Sequence, residues 1–115
     1  MRPENWQLEE AVMLIDLYYR IQALPSSQVQ IEINNLSSLL RKRAAILQKP
    51  VDERYRNIDG IKMRLKSIEY LISDGVSGLD SPSKASALAL HLRQQLPDFF
   101  EQSVTEFYER YQIAI

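Results

Sequence analysis

The sequence predicts an all-α fold, with about five helices in one compact domain of 115 residues. Apolar residues recur at intervals of three and four through most of the chain, which places them on one face of a helix. Only 3 glycines and 5 prolines interrupt this pattern, so the helices end at a few well-marked positions. A chain of this length buries a sizeable core without a metal or a disulfide.

The first helix is predicted over residues 6–21, where apolar positions recur at spacings of three, four and five. Glu9 and Glu10 fall in its first turn, where negative charge complements the helix dipole. Pro25 predicts that this helix ends before it, because the residue before a proline is displaced from helical geometry.

The second helix is predicted over residues 28–48, with Ser27 as its N-cap and Pro50 beyond its end. Apolar and polar side chains alternate over residues 29–33, a pattern that is also typical of an extended strand. This alternation leaves two starts open, a helix from residue 28 or one that begins as late as Asn34.

The third helix is predicted over residues 58–72, after a connector of residues 51–57 and before a loop of turn-forming residues over 73–82. Either Asn57 or Asp59 caps it. The connector is longer than the turn of a tight helix-turn-helix, but the order of elements is similar. We therefore predict a central pair that resembles a helix-turn-helix.

The last two helices are predicted over residues 83–96 and 98–113, separated by Pro97. The second of them carries an aromatic stripe at helical spacing, which predicts either packing on the core or association with another chain. We assign these two roles to the terminal region, residues 97–115. The stripe consists of Phe100, Val104, Phe107, Tyr108 and Tyr111.

The formal net charge is −1, but the charged residues are unevenly distributed along the chain. Residues 41–66 carry nine cations against three acids, a charge of +6. Residues 1–40 carry −3 and residues 67–115 carry −4. A basic middle between acidic flanks predicts a face that binds a polyanion such as DNA. The alternative is a solvated basic surface that is balanced by neighbouring acids.

The predicted DNA-binding residues all lie in this basic middle. Arginine and asparagine make bidentate contacts to base edges, so Arg56, Asn57 and Arg64 are expected to read bases. Phosphates are expected to be neutralised by Lys62, Lys66 and the cluster of residues 41–43, which makes binding sensitive to salt. The complete predicted set is Arg41, Lys42, Arg43, Arg54, Arg56, Asn57, Lys62, Arg64 and Lys66.

The residues needed for catalysis are scarce. The absence of cysteine excludes disulfides, thiolate metal sites and a cysteine nucleophile. His91 is the only histidine, and adjacent acids such as Glu9 and Glu10 point about 100° apart on a helix, which does not suit a carboxylate dyad. No glycine-rich phosphate loop is present. We therefore expect no enzyme activity, no cofactor and no metal.

The chain has no apolar run of the roughly 20 residues that span a bilayer, so no membrane partner is expected. Its first residues lack the pattern of a secretory signal peptide, which predicts a cytoplasmic location.

Several segments carry a recognisable pattern. They are Asn5-Trp6 followed by Glu9 and Glu10, Leu36 to Arg41, Tyr55 to Leu65, Gly78-Leu79 and Ser83-Lys84. Together they resemble the N-terminal domain of many bacterial HNH-type restriction endonucleases, where the central segment typically reads Tyr-Arg-Asn-Pro-Asn-Gly-Ile/Val-x-Met-Lys-Leu. The resemblance covers residues 5–84. A looser likeness, from Trp6 to Tyr18 and from Arg56 to Lys66, is to the Myb/SANT three-helix pattern.

The resemblance implies DNA recognition or targeting, with cleavage performed by a separate HNH module. With one histidine and no cysteine, these residues provide no such module, so no nuclease activity is expected. Ile58 stands where the family has proline and Asp59 where it has asparagine. Asp59 places a negative charge where a phosphate would approach.

The sequence therefore predicts a non-catalytic DNA-binding module, either a regulator or a targeting subunit linked to bacterial restriction or phage defence. Its expected partners are DNA and, through the C-terminal helix, a second copy or a nuclease. The alternative is a protein-interaction adaptor or inhibitor that keeps the fold and does not bind DNA.

Overall fold

Five helices and no strand are found in residues 5–80 and 82–112, which are the residues that the computed structural model describes. This confirms the all-α prediction. The predicted end of the last helix at Ile113 and the loop residue Ser81 lie outside the described residues. The helices are α1 (Leu8–Ile21), α2 (Ser26–Ile46), α3 (Ile58–Ile72), α4 (Lys84–Gln95) and α5 (Pro97–Tyr111).

Helix α2 begins at Ser26, so an extended start is excluded. Its N-cap is Pro25 and not Ser27, and the Pro25 carbonyl accepts from the backbone N–H of Val29 at 3.0 Å. The alternation of apolar residues suggests a strand, but the segment is helical. Val29 and Ile33 share one helix face and pack on the core, whereas Ile31 is 48% exposed.

Helix α3 begins where the sequence places it, after a connector that comprises residues 47–57. Asn57 is its N-cap: the side-chain oxygen of Asn57 accepts from the backbone N–H of Gly60 at 2.8 Å. Asp59, the other candidate cap, lies exposed in the first turn. The Asn57 side chain therefore has a structural role at the position where a base contact was expected.

Helix α1 lies at the centre of the domain and contacts each of the other four helices. Its residues 10–15 are all buried, and five of the six are apolar, which places apolar side chains on every side of the helix. Glu10 is the sixth, and it is fully buried. A carboxylate in the centre of the core requires a partner there.

The aromatic stripe of α5 faces this core. Phe100 and Phe107 are almost completely buried, and Val104 and Tyr111 are buried beside them. The stripe therefore packs on the core, and its buried side chains are not available to another chain. No helix of the described residues is both long and apolar enough to cross a membrane.

The loop after α3 returns against the backbone of that helix at Gly78. This glycine has a φ of +97°, and a Cβ added to it would lie 2.4 Å from the carbonyl oxygen of Lys66 and 2.7 Å from the backbone nitrogen of Tyr70. The next residue, Leu79, donates its N–H to the same Lys66 oxygen at 3.0 Å. The close approach therefore leaves no room for a side chain.

Replacement of Gly78 by alanine is expected to lower the free energy of unfolding by about 2–4 kcal/mol, because backbone strain and a clash with α3 combine. Gly75 is the matched control: its φ is +84°, but the nearest atom to an added Cβ is the Tyr70 hydroxyl at 3.4 Å. Gly75→Ala is expected to cost about 1–2 kcal/mol, the strain alone. Urea unfolding of both variants measures the difference, and equal costs would contradict the close approach.

Candidate nucleic-acid interface

The nine predicted DNA-binding residues divide into three groups by exposure. Arg43 and Arg56 are buried, with 4% and 5% of their surface exposed. Half-buried positions are taken by Arg41, Lys42, Asn57 and Arg64. The exposed members are Arg54, Lys62 and Lys66.

Arg56 lies in the core as the partner of Glu10. Its Nε and Nη2 atoms donate to the two carboxylate oxygens of Glu10 at 2.8 and 3.1 Å, a bidentate pair. The guanidinium also lies 4.1 Å from the ring centre of Trp6 and 4.5 Å from that of Tyr55. A cation stacked on two rings and paired with a buried carboxylate is held in one position.

The backbone of Arg56 is held as firmly as its side chain. Its φ is +47°, in the left-handed region, and its carbonyl accepts from the buried hydroxyl of Ser37 at 2.8 Å. This bond ties the connector to α2. The strained backbone of Arg56 is therefore kept in place by bonds at both its carbonyl and its guanidinium.

Arg43 forms a second, partly buried ion pair with Glu9 at 2.5 Å, in which the arginine is buried and the Glu9 side chain is 32% exposed. Burial alone would lower the pKa of Arg43, but the hydrogen bond and the charge of Glu9 outweigh it and raise that pKa, so the guanidinium stays charged. Tyr111 donates its hydroxyl to the same Glu9 oxygen at 3.0 Å. Burial and then this hydrogen bond raise the pKa of Tyr111, which therefore remains a donor at neutral pH.

The prediction that Arg43 and Arg56 contact DNA does not hold for this structure. Both guanidiniums are buried and paired with acids of α1, so neither reaches a duplex without breaking its ion pair. Their removal from the surface lowers the available charge of residues 41–66 from +6 to +4. Part of the basic middle thus neutralises part of the acidic flank inside the protein.

Arg41 and Lys42 do not join the cations of α3. The Nη1 atom of Arg41 donates to the carbonyls of Asp52 and Tyr55, at 2.9 and 2.6 Å, and so holds the connector against α2. Lys42 lines a separate cavity, which it shares with Glu32 among other residues. The predicted 41–43 phosphate cluster is therefore divided between three different environments.

The exposed cations of α3 remain as a candidate surface. Lys62 and Lys66 lie one turn apart on the outside of the helix, and neither forms an ion pair with a described residue. Met63, 53% exposed, and Asp59 lie on the same outer side. We call Lys62, Lys66 and Met63 the outer face of α3. Arg54, also exposed, lies in the connector before it.

Three residues that sequence reasoning did not select matter to this site. Lys84 lies in the first turn of α4 and lines the same cavity as Arg64. Glu9 and Glu10 hold the two buried arginines. A signal for Glu10 was present: it directly precedes five apolar residues in a row, which indicates a helix that is buried on all sides.

Nothing in the described part of the chain groups three or more His, Cys, Asp or Glu residues so that they could hold a metal ion. His91 is exposed on α4. Comparison with known proteins gives no match to a family model, to a curated protein or to a solved structure.

Proposed function

We propose that this chain is a non-catalytic DNA-binding module that contacts the duplex with the outer face of α3. The observation that carries the proposal is the pair Lys62 and Lys66, exposed and without an ion pair to a described residue. Among the other cations of residues 41–66, Arg43 and Arg56 are buried and Arg41 is bonded to the connector. A surface lysine that forms no ion pair keeps its charge available for a phosphate.

The spacing of the two lysines suits a backbone. Four residues of helix rise about 6 Å, so the two attachment points follow each other along one side of α3. Each flexible side chain reaches a separate phosphate, and Met63 beside them offers an apolar surface to the groove. Binding of this kind is electrostatic and largely independent of sequence.

The wider role is that of a regulator or a targeting subunit in bacterial restriction or phage defence. This role places the protein in the cytoplasm, where it encounters DNA. This role is supported by the resemblance of the sequence to the N-terminal domain of HNH-type restriction endonucleases. The segments that carry it meet in space, since Trp6 and Tyr55 both stack on Arg56 and Asn57 caps the helix that follows.

Fluorescence anisotropy with a labelled random-sequence duplex tests the proposal. We expect binding at roughly 50 mM salt and a loss of at least about tenfold in affinity at roughly 200 mM, because phosphate contacts release counterions. Undetectable binding at the lower salt concentration would contradict a DNA-binding function.

Asp59 is expected to weaken the proposed binding. It lies exposed in the first turn of α3, three residues before Lys62, and repels an approaching phosphate. Asp59→Asn is expected to raise duplex affinity about two- to fivefold and to cost about 0.3–1 kcal/mol of stability, because a first-turn acid complements the helix dipole. Anisotropy and urea unfolding measure the two effects, and an unchanged affinity would place Asp59 outside the interface.

A second candidate function, protein association, is favoured by a different surface. Leu96 and Phe99 are 54% and 55% exposed where α4 meets α5, and Leu88 is exposed on α4. Apolar side chains that are exposed next to one another mark a contact surface, and Leu96 and Phe99 are three residues apart at this junction. Sedimentation of the chain, with Leu96→Ser plus Phe99→Ser as the comparison, tests it: a dimer that the double variant abolishes supports association.

A further inference from the structure

Helix α4 has one face that packs on the domain and one that is exposed. Four of its residues recur at spacings of four, three and four, so they share one side of the helix, and all four are exposed. Ala89, on the opposite side, is fully buried. The exposed side is therefore accessible to a partner along the whole helix. We call these four residues the outer face of α4: Lys84, Leu88, His91 and Gln95.

Apolar side chains lie on this face and at its C-terminal end. Leu88 is 48% exposed on the face itself, and Leu96 and Phe99 are 54% and 55% exposed where α4 meets α5. Such side chains mark a contact surface. From Leu88 to Gln95 the outer face has no lysine, arginine, aspartate or glutamate, so a partner that covers it removes no permanent charge from water.

The charges of this region lie at the two ends of the face and have opposite signs. Lys84 is the first residue of α4, and Asp98 lies in the first turn of α5, just beyond the other end. Both are exposed, and neither forms an ion pair with a described residue. Arg93, the other cation of α4, is half-buried and stacks on the ring of Tyr19 at 3.5 Å, away from this face.

A surface with a cation at one end and an acid at the other is complementary to a copy of itself that runs in the opposite direction. A two-fold axis brings each position of one copy against a different position of the other, so opposite charges at the two ends attract twice. An unrelated protein partner requires no such arrangement. DNA does not fit this face, because Asp98 repels phosphates and Lys84 is its only lysine or arginine.

We propose that the outer face of α4 is the contact surface between two copies of this chain, which pack their α4 helices antiparallel about a two-fold axis. Lys84 of each copy lies beside Asp98 of the other. His91 is midway between these two residues in the sequence, so the axis passes close to both copies of His91. This inference rests on the second candidate function, protein association, and is independent of DNA binding.

Sedimentation equilibrium of the full chain without DNA tests the arrangement. We expect a monomer–dimer equilibrium for the wild type. Lys84→Glu and Asp98→Lys each place like charges at both ends of the contact, and each variant alone is expected to dimerise at least about tenfold more weakly. An equimolar mixture of the two variants is expected to associate within about threefold of the wild type, because both ends of the mixed dimer again join opposite charges.

His91→Lys tests the position of the axis. It places two ammonium groups close together at the centre of the contact, and we expect dimerisation to weaken at least about tenfold. Ala45→Lys is the matched control: Ala45 is exposed on α2, and the described residues of α2 do not pack against α4. The same added charge is expected to change dimerisation less than about twofold there. Urea unfolding confirms that each variant keeps the fold.

The outcomes separate this inference from the functions proposed above. A monomer at every concentration, or a dimer that none of the three substitutions around α4 weakens, overturns it. Weaker dimers of the two charge variants that their mixture does not restore overturn the antiparallel arrangement, whereas restoration supports it. A dimer that only Leu96→Ser plus Phe99→Ser abolishes leaves association standing and places its interface off the outer face of α4. Duplex binding is measured separately, so none of these results decides the DNA-binding function.

Discussion

Glu10→Gln is expected to lower the free energy of unfolding by about 3–5 kcal/mol, because it leaves the Arg56 guanidinium charged, buried and without its carboxylate. The bidentate pair joins α1 to the connector before α3, two segments that are 46 residues apart. The Glu10 side chain also accepts from the backbone N–H of Gln7 at 3.0 Å, a bond that glutamine can still form, so the expected cost comes from the ion pair.

Urea unfolding followed by the fluorescence of Trp6 measures this cost, since that ring stacks on Arg56. Glu32→Gln is the matched control: its ion pair with Arg20 is partly exposed, and a cost of at most about 1 kcal/mol is expected. Glu10→Gln combined with Arg56→Met is expected to cost less than the sum of the single changes. A Glu10→Gln cost as small as that of Glu32→Gln would contradict the buried pair.

The helices follow closely from the sequence because their signals are local. Helix boundaries are predicted at Pro25, Asn57 and Pro97. In the structure, a helix begins within a few residues of each. The start of α2 does not follow from the local pattern, because alternation over residues 29–33 fits both a strand and a helix. The exposure of Ile31 decides between them, and exposure depends on packing that the local pattern does not contain.

The candidate DNA-binding site is harder to predict than the helices, because a count of charged residues does not show which cations form ion pairs in the folded protein. Arg43 and Arg56 count toward a basic surface in the sequence, yet in the structure both are buried and paired with Glu9 and Glu10. These partners lie 34 and 46 residues away in the chain, so only the tertiary fold brings them together. Lys62, Lys66 and Arg54 do remain exposed, which leaves a smaller candidate surface than the sequence indicates.

Replacement of both Lys62 and Lys66 by glutamine is expected to weaken duplex binding about 10- to 100-fold at roughly 0.1 M salt. Both side chains are exposed and have no ion pair with a described residue, so stability is expected to change by less than about 0.5 kcal/mol. Equilibrium anisotropy with one labelled duplex measures the loss, and urea unfolding confirms that the fold is retained. A threefold loss or less would place the main contacts elsewhere on the protein.

A variant that removes two positive charges from other helices controls for net charge. Arg20 on α1 and Arg110 on α5 both pair with acids of the chain, and Arg20→Gln plus Arg110→Gln changes the total charge by the same amount. We expect this control to retain most of the affinity, because the two arginines it removes do not contact phosphates.

The most direct test of the central claim, that the outer face of α3 binds DNA phosphates, is the slope of log K against log salt for one duplex. We predict that the slope for Lys62→Gln plus Lys66→Gln is smaller than that of the wild type by about 2, with the Arg20→Gln plus Arg110→Gln slope unchanged. Equal slopes in all three proteins, or the larger change in the control, would contradict the claim.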